Sequence, residues 1–165
     1  MYKRLFLFSA FVLFFVMVNA QVCAFISDDN PPTNIRSSAN GRIVMSLPDT
    51  CSYMVELSSS KNGWWRVEWI NCAENDVDIE LKGSPNGTYW IHYSVIACDT
   101  RNYGNTRWCL RDKPSKTGRP TYWFTGEKTV RPISFKGEWV QVVLNGHKGW
   151  IENEMLCSNP LTTCP

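Results

Sequence analysis

The chain carries two stretches that match at a fixed offset, and few folds accommodate that. Trp64-Trp65-Arg66-Val67-Glu68-Trp69 recurs as Trp139-Val140-Gln141-Val142-Val143-Leu144, 75 positions later. The same offset lays Asn34-Ile35-Arg36 on Cys109-Leu110-Arg111, and Val55 on Val130. Tyr89-Trp90-Ile91-His92 then matches Gly149-Trp150-Ile151-Glu152 at an offset of 60. The drop places about 15 extra residues in the first copy, between Ile70 and Tyr89. Matching segments in a fixed order are the mark of a duplicated unit. The expectation is two similar small domains in tandem.

Residues 1–20 stand apart from both copies. Lys3 and Arg4 precede an almost unbroken apolar run from Leu5 to Val18, and Val18-Asn19-Ala20 offers a cleavage site. This pattern predicts a secretory signal peptide. A retained membrane anchor is the competing reading, but the run is short. Removing the segment takes the 17 basic residues to 15, equal to the 15 acidic ones. A neutral mature chain lacks the basic footprint of a nucleic-acid binder. No membrane partner is expected once the signal is removed, and the protein is expected in the periplasm or outside the cell.

Seven cysteines, at 23, 51, 72, 98, 109, 157 and 164, then read as disulfides with one thiol left over. Spacing gives no connectivity beyond the nearness of Cys157 to Cys164. No Cys-x-x-Cys pair occurs, so no metal site and no cofactor is expected.

Short β-rich runs alternate with turn signals. Arg42 to Leu47 ends at Pro48-Asp49, and Ser52 to Leu57 ends in Ser58-Ser59-Ser60-Lys61-Asn62-Gly63. Asn145-Gly146 between two apolar runs predicts a tight hairpin. The extra residues of the first copy alternate over Val77-Asp78-Ile79-Glu80-Leu81, as an extended hairpin would. Helix is expected only as one turn near Glu152 to Leu156.

These residues resemble the bacterial SH3-like (SH3b) domain family. Thr33-Asn34-Ile35-Arg36, Gly63-Trp64-Trp65-Arg66-Val67 and Tyr89-Trp90-Ile91 carry the likeness in the first copy. Gly137-Glu138-Trp139-Val140-Gln141-Val142 and Gly149-Trp150-Ile151 carry it in the second. The first copy departs at Tyr89, where glycine is usual. The second departs at Cys109, where an asparagine leads. The resemblance implies an all-β chain of two tandem small SH3-like β-barrels, the first with a hairpin-like insertion. The expected layout is a signal peptide over 1–20, first domain over 21–98, linker over 99–106, second domain over 107–157 and tail over 158–165. It also implies a non-catalytic module that recognises cell-wall (peptidoglycan) peptide or a similar extended peptide. The alternative partner is an envelope protein, with the chain as an adaptor or as an inhibitor of an envelope enzyme.

Catalytic patterns are weak by comparison. Cys98 with His92 is the one local thiol–imidazole pair, with no helix start beside it. No Gly-x-Ser-x-Gly element occurs. Asp76, Asp78 and Glu80 fall on one strand face and read as solvated. No catalytic residue is expected.

The tryptophans sort by strand parity. Trp64, Trp90, Trp139 and Trp150 take the family's core-strand and final-strand positions, so packing is expected for them. Trp65 and Trp69 differ in parity from Trp64 and are ligand candidates. With them stand His92 and Tyr93 beside Trp90, and Trp108 and Trp123 in the second copy. Arg36 and Arg111 recur and can meet a peptide carboxylate. Their structural alternative is an ion pair or a bond to a backbone carbonyl.

Overall fold

A computed structural model describes residues 21–164. The expected signal peptide lies outside the described residues. Fourteen strands run in chain order: β1 (Val22–Ile26), β2 (Thr33–Arg36), β3 (Ile43–Leu47), β4 (Tyr53–Lys61), β5 (Trp64–Cys72), β6 (Val77–Asp78), β7 (Tyr89–His92), β8 (Ile96–Thr100), β9 (Arg107–Arg111), β10 (Pro120–Thr125), β11 (Thr129–Lys136), β12 (Trp139–Leu144), β13 (His147–Glu152) and β14 (Leu156–Cys157). Every pairing is antiparallel. Single 3-10 turns at Tyr93–Val95 and Asn153–Met155 are the only helical pieces among the described residues. The chain is all-β.

Sheet order is β10-β9-β13-β12-β11-β8-β1-β4-β5-β7-β2-β3, with β14 on β8 and β6 on β5. Comparable pairings occur in both halves. In the first, β2 joins β3, β4 joins β5, and β7 joins β5 and β2. In the second, β9 joins β10, β11 joins β12, and β13 joins β12 and β9. Arg36 stands opposite Trp90, and Arg111 opposite Trp150.

The halves meet through β8. Phe25 and Ile26 of β1 pair with its first residues, Ala97 and Ile96. Its last residues pair with β11 and β14. Asp99 and Thr100, at the start of the expected linker, therefore lie in a strand between both halves. One core cluster runs through the molecule, from Val22, Val55 and Trp65 to Val130, Val140 and Leu156. The Arg131 guanidinium adds a bridge, donating to the carbonyls of Ser27 (2.7 Å) and Ile96 (3.0 Å).

Two hairpins turn on Asn-Gly. Asn145 and Gly146 have φ of 51° and 81°, and so do Asn62 and Gly63. Two successive left-handed residues match the twist of the flanking strands. In the first hairpin this pair does all the turning. Ser58 to Lys61, expected as turn, therefore continue β4, and Lys61 pairs with Trp64. The expected insert hairpin is short: only Val77 and Asp78 pair, with Cys72 and Asn71.

Cys157 and Cys164 form the expected disulfide, and Cys51 is joined to Cys72. Three thiols are free, not one: Cys23, Cys98 and Cys109. Cys23 and Cys98 sit on adjacent strands but on opposite faces, Cys23 exposed and Cys98 buried. Alternation along a strand separates their sulfurs, although the Cys98 thiol donates to the Cys23 carbonyl at 3.3 Å. The Cys51–Cys72 bond ties the start of β4 to the end of β5 across 21 positions. Closing a loop of that size stabilises by about 3 kcal/mol. Replacing both cysteines by serine is expected to lower the unfolding free energy measured by urea denaturation by about 3 kcal/mol, with the β-sheet circular dichroism of the folded protein unchanged.

Candidate functional site

A cleft of about 370 Å³ opens in the second half. It is lined by Trp108, Trp123 and Trp139, by Arg107, Arg111 and Lys116, and by Cys109, Glu152, Ile151 and Met155. Strand parity builds it. Val140, Val142 and Leu144 fill the core, so Trp139 faces outward at the start of β12. Leu110 is buried, so Cys109 and Arg111 turn the other way. Trp123 pairs with Cys109 across β9 and β10, and its side of the strand is solvent-exposed. Trp108 meets Phe124 edge-on at 6.3 Å, which fixes its ring at the wall.

Charge in the cleft is mostly positive. The Arg111 guanidinium donates to the Gly118 carbonyl at 2.8 Å. The Lys116 ammonium lies 3.5 Å from the Glu152 carboxylate. The Arg107 guanidinium lies over the Trp123 ring, 4.5 Å from its centroid. Indole faces with cations at the rim suit a ligand that is apolar along its length and anionic at one point.

Three of the expected ligand residues, Trp108, Arg111 and Trp123, converge here. Three others gather in the first half around Trp64. The Arg36 guanidinium is 5.5 Å from the Trp64 ring centroid and donates to the Gly41 carbonyl at 2.8 Å. The His92 ring is 4.9 Å from Trp64 and 4.6 Å from Tyr93. His92 Nδ1 also meets the Ser94 hydroxyl at 2.8 Å. Partial burial lowers the His92 pKa from its ordinary value, which keeps the ring neutral at neutral pH. Tyr93 packs so close to Gly63 that a Cβ there would lie 2.9 Å from its ring. Both recurrent arginines thus hold a carbonyl in the loop that follows their strand.

The two remaining candidates do not join either group. Trp65 is fully buried, donates from Nε1 to the Pro132 carbonyl at 2.8 Å and stacks on Phe135. It is a core residue that clamps β5 to β11, not a ligand contact. Trp69 is half-buried, and its Nε1 donates to Asp78 at 2.8 Å. Its parity expectation fails at a bulge. Glu56 pairs with Trp69 but Leu57 with Val67, so Glu68 is an extra residue and the faces exchange beyond it. Ile70 then takes the core face instead of Trp69.

Packing was expected for Trp64, Trp90, Trp139 and Trp150, yet all four are only half-buried. Their neighbours Trp65, Ile91, Val140 and Ile151 occupy the core face. Arg107, Lys116 and Glu152 were not among the candidates. The alternation Arg107-x-Cys109-x-Arg111 is the signal that could have placed Arg107 beside the cleft.

Other clusters carry less chemistry. Cys98 is wholly buried, and burial pushes its thiol pKa well up, the reverse of what an attacking thiolate needs. Cys51, Cys72 and Glu74 lie close together, but both sulfurs are spent in the disulfide. A cavity of about 260 Å³ beside Asp28, Asp29 and Asp49 is acidic, with Asp28 already accepting from Thr33 and Asn30.

No protein-family model matches the chain, and no curated protein matches it. Two solved structures, NlpC1 and NlpC2 from Trichomonas vaginalis, are similar at 16% identity and a TM-score of 0.32. The likeness covers 85% and 84% of this chain, and 46% and 48% of theirs. The chain thus spans about half the length of each. A likeness at this score decides neither fold nor function.

Proposed function

We propose that this is an exported binding protein, built of two tandem SH3-like barrels, that recognises an extended peptide of the cell wall without covalent chemistry of its own. The observation that carries the proposal is the second-half cleft, where three indoles and three cations line one cavity. Aromatic walls with a few fixed polar groups are what small-ligand and peptide sites share. The barrel reading draws on the recurrent pairings, with Arg36 opposite Trp90 and Arg111 opposite Trp150. On that reading β8 closes the first barrel and opens the second, and the segment from Asn71 to Thr88 is the insertion. Two disulfides fit an oxidising compartment. Among the described residues no helix is long and apolar enough to cross a membrane.

The test is sedimentation of the mature chain with purified peptidoglycan. Saturable co-sedimentation is the expected result. A folded protein that stays in the supernatant at every concentration overturns the proposal and directs the search to a protein partner in the envelope.

A further inference from the structure

Of the three cations at the cleft, two are already engaged: Arg111 with the Gly118 carbonyl and Lys116 with Glu152. Arg107 is different. Its contact is the face of the Trp123 ring, and Trp123 is 46% exposed. Strand register explains the stack. Arg107 stands opposite Thr125 and Trp123 opposite Cys109, so the two are diagonal neighbours across β9 and β10. A guanidinium held over an indole face by its charge leaves N–H donors of its planar fork free for another partner. That fork matches a carboxylate through two parallel hydrogen bonds.

We infer that Arg107 is the specificity-determining residue of this cleft and that the group it receives is a carboxylate of the bound peptide. The inference rests on the peptide-binding function proposed above. Arg36 and Arg111 each tie one end of the guanidinium to a backbone carbonyl of their own chain, whereas Arg107 keeps its whole fork for a ligand. Glu152 is the one carboxylate lining the cleft, and Lys116 offsets it, so an incoming anion meets net positive charge. Apolar atoms next to the ligand carboxylate then cover Trp108 and Trp139. The offset of 75 puts Pro32 where the second half has Arg107, so the first half has no counterpart cation. Carboxylate recognition belongs to the second half alone.

The experiment compares two preparations of peptidoglycan in sedimentation with the mature chain. One is native, and the other has its carboxyl groups converted to methylamides with carbodiimide and methylamine. The parent is expected to bind the amidated wall about tenfold more weakly, the size of a charge-assisted bidentate contact. Arg107→Gln, checked for an unchanged melting temperature, is expected to bind both preparations alike, at the parent's level on amidated wall. Arg107→Lys retains the charge without the fork and should recover only part of the preference. A parent that binds both preparations equally overturns the inference and leaves the peptide-binding function standing. So does an Arg107→Gln variant that keeps the preference. A folded parent that binds neither preparation removes both together.

Discussion

Trp65→Ala is expected to remove most of the stability of the protein. The side chain is fully buried, and truncating a buried tryptophan to alanine costs about 3–5 kcal/mol in lost transfer and cavity terms. The Pro132 carbonyl loses its donor at the same time. A buried acceptor left without a partner costs about 1–3 kcal/mol more where water cannot reach it. Against a domain stability of about 5–15 kcal/mol this is a large share. Trp65→Phe separates the two effects. It keeps most of the volume and the stack on Phe135 while losing the indole N–H, so about 1–2 kcal/mol is expected. Trp69→Ala is the control. Trp69 is half-buried and bonded to Asp78 at the surface, so a smaller loss is expected. Urea denaturation followed by circular dichroism measures all three. Trp65 belongs to β5 and its partners Pro132 and Phe135 to β11, so both halves should unfold in one transition in the parent. A folded Trp65→Ala protein within about 1 kcal/mol of the parent would refute the core assignment.

The all-β class was legible because half-buried strands alternate and because Asn-Gly marks a hairpin. The Asn145-Gly146 turn and the single helical turn before Leu156 needed only neighbouring residues to be read. What failed depended on partners far along the chain. Parity correctly separated Trp64 from Trp65, but it could not say which face meets the core. That choice is set by β11, which packs on Trp65 from almost 70 positions away. Parity also assumed an unbroken ladder, and the extra residue at Glu68 exchanged the faces before Trp69. The stretch from Asp99 looked like a joint because Asn102, Gly104 and Asn105 follow it. Its first two residues are strand, for a reason that lies in β11 and β14. Disulfides divided in the same way. Cys157 and Cys164 are close in sequence, whereas Cys51 and Cys72 are brought together by the register of β4 on β5.

The candidate site followed the same rule. Trp108, Arg111 and Trp123 stood among the candidates because clustered aromatics and a recurrent arginine draw attention by type. For Arg111 the sequence left two roles open, a ligand carboxylate or a backbone carbonyl, and its guanidinium donates to the Gly118 carbonyl. Arg107 escaped notice because its meaning comes from Trp123, 16 positions on, and only the β9–β10 register joins them. A cation above an exposed ring is visible once the strands are paired and invisible before.

Trp123→Ala is expected to weaken wall binding about thirtyfold while leaving the fold intact. Trp123 is 46% exposed on β10, an outer strand of the sheet, and its ring lies under the Arg107 guanidinium. Its removal therefore opens no core cavity, and a stability change within about 1 kcal/mol is expected. Binding is another matter. Tryptophans at the centre of an interface cost about 2 kcal/mol or more on truncation, which is about thirtyfold in affinity. Losing the ring also frees the Arg107 guanidinium, so the carboxylate contact loses its support in the same step. The variant should bind native and amidated peptidoglycan equally poorly, whereas Arg107→Gln should lose only the difference between them. Trp69→Ala, on the first half and away from the cleft, should bind as the parent does. Sedimentation isotherms for the three variants, with melting temperatures measured on the same samples, distinguish these outcomes. If Trp69→Ala loses binding and Trp123→Ala keeps it, the ligand sits on the first half and the cleft is not the site. If Trp123→Ala binds native wall within about threefold of the parent, the indole platform is not an anchor of the interface.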